Sequence, residues 1–333
     1  MRALQVFVVL GSSLLFMLQP LVGRLLLPIH GGSFQVWTTC MLFFQLALLV
    51  SYAYAHLALP RIGRLHRALL LLSLPCAPLA LEHLPARAGS IRDILLALSV
   101  GVLLPFCVLG TTSILAQTRA LSLPSAGTRE PYTLYAYSNV GSLLGLLSYP
   151  FLLEPLLGLR AQRTLWAAAY LVYAVMAWRL APHAVPPAAQ SGEPSPVSWR
   201  ARWYWISVSA CACSTLLGLT NVVSLGAGSI PLIWVLTLAA YLLGFVAAFA
   251  AREGGFQPAV LAPEVLLLAL VLYNEPRWLG GLFAESTQLA LQLGCLFWLT
   301  WTACAELHRT RPAPRALSDF YLAIALGGAL GEV

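Results

Sequence analysis

The chain has 333 residues, of which 59% are hydrophobic and 9% are charged. Soluble globular proteins carry about 25% charged residues, so this composition excludes a water-soluble fold. The formal charge of +7 comes from Arg alone, in short connections between apolar runs, which indicates membrane topology and excludes nucleic acid as a partner.

An α-helix needs about 20 mostly apolar residues to cross a bilayer, and ten segments of the chain meet or approach that length. An eleventh begins near Asp319 and stops at Val333, which is too short for a hydrocarbon core about 30 Å thick. We therefore predict an all-α, polytopic bundle in a lipid bilayer, truncated in its eleventh helix. The ten full segments are predicted at 3–27, 34–59, 66–82, 91–118, 131–153, 161–181, 202–226, 229–251, 257–274 and 278–306.

One long polar connection, rich in Pro and Ser, follows the sixth segment and predicts a flexible cytoplasmic linker at 182–201. It separates a first six-helix half, 1–181, from a second half, 202–333, that is incomplete at its C-terminus. This division is typical of a major-facilitator-like six-plus-six arrangement with parallel halves. No residue-level repeat between the halves is evident, so their similarity is predicted in structure alone.

The distribution of Arg predicts the orientation of the chain. With the N-terminus inside, cytoplasmic connections hold about twice as many Arg as the opposite side, as the positive-inside rule requires. The first apolar run continues to Leu27 without a small-residue cleavage site, so it is predicted to remain as the first span.

The first segment carries three residues that are unusual in a membrane helix, Gln19, Pro20 and Arg24. An amide without partners is costly in hydrocarbon, so Gln19 is predicted to face other helices or a wet cavity. Pro20 frees a backbone carbonyl and permits a bend, and Arg24 is predicted to extend towards the outer interface. A break of this kind builds substrate sites in transporters, but it also bends inert helix bundles.

Two further segments carry polar side chains beside apolar faces. Gln45 and His56 lie on one face of the second segment, where His56 is interpreted as a proton relay or as an ordinary interface residue. In the fifth segment Asn139 belongs to a polar stripe next to Gly141 and Gly145, whose spacing predicts close helix packing.

The tenth segment places Glu285, Gln288 and Gln292 on one helix face. A carboxylate deep inside a span is expected to be protonated or paired, although a position at the membrane rim also explains Glu285.

The seven cysteines lie in apolar segments, and Cys211 and Cys213 point to different helix faces. No catalytic triad, HExxH motif or paired-His spacing is present, so we predict no catalytic residue, metal or cofactor.

Four long strings resemble the membrane region of bacterial fused major-facilitator/spermidine-synthase-like proteins. They are FMLQPLVGRLLLPIHGGSFQVWTTCMLFFQLALLVSYAYAHL, EPYTLYAYSNVGSLLGLLSYPFLLEPLLGL, IPLIWVLTLAAYLLGFV and RPAPRALSDFYLAIALGGALG. The resemblance implies a multi-pass protein of the bacterial inner membrane, followed by a cytoplasmic aminopropyltransferase-like domain that this chain does not contain. It departs from the family at Cys304, where the family shows His. The family-pattern positions are Gln19, Pro20, Gly31, Gly32, Trp37, Asn139, Gly141 and Glu306.

Two functional hypotheses follow. In the first, the chain anchors or feeds a synthase-like catalytic domain, either fused or separate; in the second, it is a stand-alone major-facilitator transporter for polyamines or other cations. A purely structural membrane subunit is a third reading, and oligomeric state is left open.

The candidate polar cavity comprises Gln19, Arg24, Gln45, His56, Asn139, Glu285, Gln288, Gln292 and Glu306. The candidate positions for close helix packing or for a break in a helix are Pro20, Gly31, Gly32, Gly141 and Gly145.

Overall fold

The computed structural model describes residues 2–58, 62–79, 81, 90–121, 130–180, 197–227, 233–250, 285–312 and 316–331. Regular structure within these ranges is helical, with no strand, so the prediction of an all-helical bundle is confirmed. The helices are α1 Arg2–His30, α2 Phe34–Ala58, α3 Ile62–Ser73, α4 Ile91–Gly101, α5 Leu103–Gly110, α6 Thr112–Leu121, α7 Glu130–Ser148, α8 Glu154–Leu156, α9 Leu159–Leu180, α10 Trp199–Ala227, α11 Ile233–Ala250, α12 Glu285–Arg309 and α13 Leu317–Gly331.

Within the described ranges, four helices are long and apolar enough to cross a membrane: Arg2–His30, Gln35–Leu57, Trp199–Val223 and Leu289–Arg309. A fifth candidate span combines Ile91–Gly101 with Leu103–Ala120, which meet at an angle of 59°. These spans make the chain a multi-pass membrane protein. The segment predicted at 257–274 lies outside the described residues.

The segment predicted at 91–118 corresponds to a span that bends at Val102. Pro105 has no N–H to bond the carbonyl of Gly101 four residues earlier, so the helical hydrogen-bond ladder is interrupted there. Val102 adopts φ −122° and ψ −33°, and its N–H bonds the carbonyl of Leu98 at 2.9 Å. The bend divides this span into α4 and the pair α5 and α6.

Pro20 and Pro28 do not end α1, which runs without a break from Arg2 to His30. Membrane helices tolerate proline when neighbouring helices and side chains satisfy the freed backbone groups. The helix ends instead at Gly31, which has φ +79° and donates its N–H to the carbonyl of Leu27 at 3.0 Å. This is a left-handed glycine cap, and it turns the chain towards α2.

The helix contacts show a twofold relation between two groups of helices. Broad contacts join α1 to α7 and, equivalently, α10 to α13. Between the groups, α2 packs on α13 and α11 packs on α7. Exchanging α1, α2 and α7 for α10, α11 and α13 converts each contact into its counterpart, as expected of a six-plus-six fold.

A residue pattern repeats on the two equivalent helices α7 and α13. The pattern Tyr-x5-Gly-x3-Gly occupies 135–145 and 321–331. A Cβ on Gly141 would lie 2.7 Å from the carbonyl oxygen of Val9 on α1, and a Cβ on Gly327 would lie 2.8 Å from the Ser209 Cβ on α10. The expectation that no residue-level repeat exists is therefore corrected; three fixed positions in eleven do not stand out in an apolar sequence.

Gln162 on α9 makes three hydrogen bonds to the irregular segment that follows α7. Its Oε1 accepts from the Tyr149 hydroxyl at 2.9 Å, and its Nε2 donates to the carbonyls of Leu153 and Leu157 at 3.3 and 2.8 Å. Tyr149 to Leu153 form a π-helical turn. Pro150 lies in this turn and has no backbone N–H to donate. Buried Gln162, which the sequence did not single out, thus satisfies the irregular backbone of this turn.

We expect Gln162→Leu to destabilise the folded protein by about 2 kcal/mol, because it leaves the buried Tyr149 hydroxyl without its acceptor. The melting temperature of the protein purified in detergent measures the effect. Thr164→Val, two residues away on an exposed face of α9, is the control and should change the melting temperature little. Equal melting temperatures for the two variants would contradict the assigned role of Gln162.

Candidate functional site

A cavity lies where helices of the two groups meet. Residues of α1, α2, α5, α6 and α7 form one side, and residues of α10, α11 and α13 form the other. Its volume is about 190 Å³. The cavity therefore has room for a small organic molecule.

Three of the predicted polar residues, Gln19, Gln45 and Asn139, line this cavity and come from three different helices. Asn139 is 7% exposed, and its Nδ2 has no hydrogen-bond partner among the described residues. The Asn139 amide nonetheless lies close enough to the Tyr135 hydroxyl for a weak hydrogen bond to it. Gln45 reaches across to the second group of helices, where a Cβ on Gly328 would lie 3.4 Å from its Oε1.

A chain of three hydroxyls forms part of the cavity wall. Ser113 on α6 donates to the Ser138 hydroxyl at 2.7 Å, and Ser138 in turn lies 2.7 Å from the Ser12 hydroxyl on α1. These bonds tie three helices together and satisfy the hydroxyls in the wall. None of these three residues was predicted from the sequence, where the only signal was the position of Ser138 beside Asn139.

Tyrosines close the end of the cavity nearest the N-terminus of α1. The ring centroids of Tyr135 and Tyr321 are 5.2 Å apart, and those of Tyr52 and Tyr321 are 6.0 Å apart. The Tyr321 hydroxyl accepts a hydrogen bond from Gln117 Nε2 at 3.1 Å. Tyr135 and Tyr321 occupy equivalent positions of the repeat, so each group of helices contributes one ring to this closure.

Charged side chains lie beyond the tyrosines at the same end. Asp319 on α13 pairs with Arg202 on α10 at 3.0 Å and with His56 on α2 at 3.7 Å. Because α2 and α13 belong to different groups of helices, the contact between His56 and Asp319 crosses between the groups. His56 is thus an interface residue here and does not line the cavity.

The remaining predicted site residues lie away from the cavity lining. Arg24 pairs with Glu154 on α8 at 3.1 Å. Glu306 accepts hydrogen bonds from Tyr204 and Arg309, each at 2.6 Å. Gln292 is buried on α12. The side chains of Glu285 and Gln288 lie outside the described residues, although α12 begins at Glu285.

No charged side chain lines the cavity in the described part of the chain. Its surface combines amides and hydroxyls with apolar and aromatic side chains, notably Phe16, Trp37, Phe44, Phe106, Tyr241 and Phe245. Such a surface can hold a solute by hydrogen bonds and ring contacts, but it offers no counterion.

Comparison with solved structures gives the fold. The crystal structure of the human organic anion transporter MFSD10 (TETRAN) matches with a TM-score of 0.58 and 16% identity, covering 99% of this chain and 91% of that chain. The crystal structure of the nucleoside transporter NupG matches with a TM-score of 0.58 and 12% identity, covering 99% and 88%. The helical fold of this chain matches the major-facilitator fold of these two transporters.

At these identities the likeness concerns the fold alone, and the solutes named belong to those two proteins. No protein-family model matches the sequence, and no curated protein matches it.

Proposed function

We propose that the protein is a secondary transporter that moves a small solute through the cavity between its two groups of helices. The observation that carries the proposal is the cavity itself, to which equivalent helices of both groups contribute polar side chains. Relative movement of the two groups would expose such a cavity to each side of the membrane in turn.

The buried amide of Asn139 in the cavity wall supports this proposal over a passive anchor. A buried polar group without a hydrogen-bond partner costs about 1–3 kcal/mol. An inert bundle would gain stability from an apolar residue at that place, whereas a binding site repays the cost when a solute enters. The synthase-fusion hypothesis, by contrast, rests only on the sequence resemblance.

The orientation and the division into halves extend the proposal. We place the N-terminus in the cytoplasm and the protein in the inner membrane, with 1–181 and 202–333 as the two halves. In that orientation the tyrosine closure and Asp319 face the cytoplasm. We propose that the packed tyrosines and the contact between His56 and Asp319 close the cavity at this end.

Access to Cys213 tests transport without knowledge of the solute. Cys213 lines the cavity, whereas Cys211 is exposed on another face of α10. In single-cysteine variants, we expect a charged, membrane-impermeant thiol reagent to modify Cys213 in both right-side-out and inverted vesicles. Cys211, facing lipid, should resist the reagent in both preparations.

Alternating access requires that Cys213 be reached from each side. Modification from one side only, or from neither, would contradict the transporter proposal and favour a static membrane subunit. Cysteine placed at Ser142, which also lines the cavity, provides a second site for the same measurement.

A further inference from the structure

We propose that the solute is a small amphipathic molecule whose polar end binds the first group of helices and whose apolar end faces the second. Here the first group comprises α1, α2 and α5 to α7, and the second comprises α10, α11 and α13. The inference rests on the proposed transport function and makes it more specific by naming the class of solute and its orientation. It follows from a difference between equivalent positions in the two groups.

Contacts of the glycines give the register between the two groups. Gly141 on α7 packs against Val9 of α1, and its counterpart Gly327 on α13 packs against Ile206 of α10. Val9 and Ile206 are therefore equivalent, and the same shift along the chain relates the other positions of α1 and α10. Applied to α2, this shift leads to α11.

The two groups line the cavity with equivalent positions. Each described lining residue of α10, α11 and α13 has an equivalent on α1, α2 or α7 that lines the cavity as well. For α11 this agreement is independent of the glycine contacts, which set the register on other helices. The two groups can therefore be compared residue by residue.

The amides are where the two groups differ. In the described lining, amide side chains belong to the first group, and aliphatic side chains occupy the equivalent positions of the second. The pairs are Gln19 and Leu216, Gln45 and Leu242, and Asn139 and Ala325. The helix packing of this fold thus accepts an aliphatic side chain at each position and does not require an amide. Because an amide in an apolar setting is costly without a partner, the amides indicate that the first group meets a polar group of the solute.

Gln19 and Gln45 are the two amides that a solute can reach. Both side chains are partly exposed and line the cavity, whereas Asn139 is buried. A Cβ on Gly328 would lie 3.4 Å from Gln45 Oε1 and 3.5 Å from Cys213 Sγ, so the glycine leaves space beside this amide at the boundary between the groups. An amide both donates and accepts hydrogen bonds, so it binds neutral as well as charged polar ends.

The second group offers an apolar surface. Two of its hydroxyls are engaged within the protein, since Ser209 donates to the carbonyl of Ile324 at 2.8 Å and the Tyr241 hydroxyl lies 3.5 Å from Cys213 Sγ. The aliphatic and ring side chains beside them in the lining are Leu216, Leu238, Leu242 and Phe245. Contact with such a surface favours apolar atoms in proportion to the area removed from water. The second group is therefore complementary to the apolar end of the solute.

Binding of naphthalene derivatives to the purified full chain tests the inference. The probes share the apolar naphthalene body and differ in the group at one ring position, which is hydrogen, hydroxymethyl, carboxamide, carboxylate or aminomethyl. Equilibrium dialysis against nanodiscs that hold the protein measures affinity, and empty nanodiscs measure partition into lipid. We expect at least one of the four polar groups to raise the affinity at least tenfold over that of naphthalene.

The equivalent residues supply matched variants. Gln19→Leu combined with Gln45→Leu gives the first group the side chains found at Leu216 and Leu242. This variant should bind the polar derivative at least fivefold more weakly and naphthalene within twofold of the wild-type affinity, which also shows that it is folded. Gln292→Leu, on α12 outside the described lining, is the control and should leave both affinities unchanged.

The reverse exchange tests the orientation. Leu216→Gln combined with Leu242→Gln places amides in the apolar surface and should weaken binding of naphthalene itself at least fivefold, without raising the affinity for the polar derivative. The melting temperature of each variant identifies any loss of binding that comes from unfolding.

The possible results separate this inference from transport itself. The inference is overturned if all four derivatives bind no more tightly than naphthalene, or if amides on the second group raise the affinity for the polar derivative as much as loss of Gln19 and Gln45 lowers it. Two-sided labelling of Cys213 would still support transport in either case. Labelling of Cys213 from one side only would reject transport, whereas a preference that depends on Gln19 and Gln45 would still place the polar end of a bound molecule at the first group.

Discussion

Gly145→Ala is expected to destabilise the protein by about 1–3 kcal/mol, the usual cost of forcing an extra methyl group into a tightly packed contact. A Cβ at this position would lie 2.6 Å from the Cα atom of Ser13, and backbone cannot rotate away as a side chain can. The helices α1 and α7 would have to separate. The measurements are the melting temperature in detergent and the yield of monodisperse protein.

The chain contains a matched control for this substitution. Gly294 lies inside α12, and a Cβ there meets no atom within 4 Å. Gly294→Ala should stabilise the helix by up to about 1 kcal/mol, because alanine restricts the unfolded chain more than glycine does. The two changes therefore have opposite expected signs, and equal effects would contradict the packing role of Gly145.

The repeat predicts a second sensitive position. Gly331 is the counterpart of Gly145, and its Cβ would lie 3.1 Å from the Cα of Ala210 on α10. Gly331→Ala should therefore lower the melting temperature about as much as Gly145→Ala. If the sites are independent, the double variant should lose the sum of the two single effects.

The sequence allowed the location of the amides to be predicted, because an amide in hydrocarbon must face protein or water. Gln19, Gln45 and Asn139 line the cavity, whereas Gln292, predicted on the same ground, is buried on α12 away from the described lining. The polarity of an amide gave no guide to Ser113 or Tyr321, since serine and tyrosine are tolerated at low cost in many membrane environments. Their place depends on helix packing, which periodicity alone does not specify.

The partners in the ion pairs were the part of the site that could least be predicted from the sequence. Arg24 and His56 were recognised as polar residues near helix ends, but their partners Glu154 and Asp319 are distant in sequence. Which charges meet depends on how helices are ordered around the bundle, and hydropathy does not determine that order. The bend at Val102, in contrast, had a local signal in the nearby glycine and proline.

Asp319→Arg is expected to raise labelling of Cys213 from the cytoplasmic side at least tenfold. The change replaces attraction by repulsion at the one point where Asp319 contacts both His56 and Arg202. Like charges near 4 Å repel by about 1–4 kcal/mol, and the repulsion that acts between the two groups of helices is the one with protonated, partly exposed His56. About 1.4 kcal/mol is sufficient for a tenfold shift towards the state that is open to the cytoplasm.

Two companion variants determine whether charge causes this shift. Asp319→Asn removes the attraction without adding repulsion and should raise labelling only slightly, because partly exposed ion pairs contribute little. Adding His56→Glu to Asp319→Arg restores an attraction between α2 and α13 with its polarity reversed, and should return labelling towards the wild-type value. If the double variant instead labels as strongly as Asp319→Arg alone, the contact between α2 and α13 does not hold the cytoplasmic end closed.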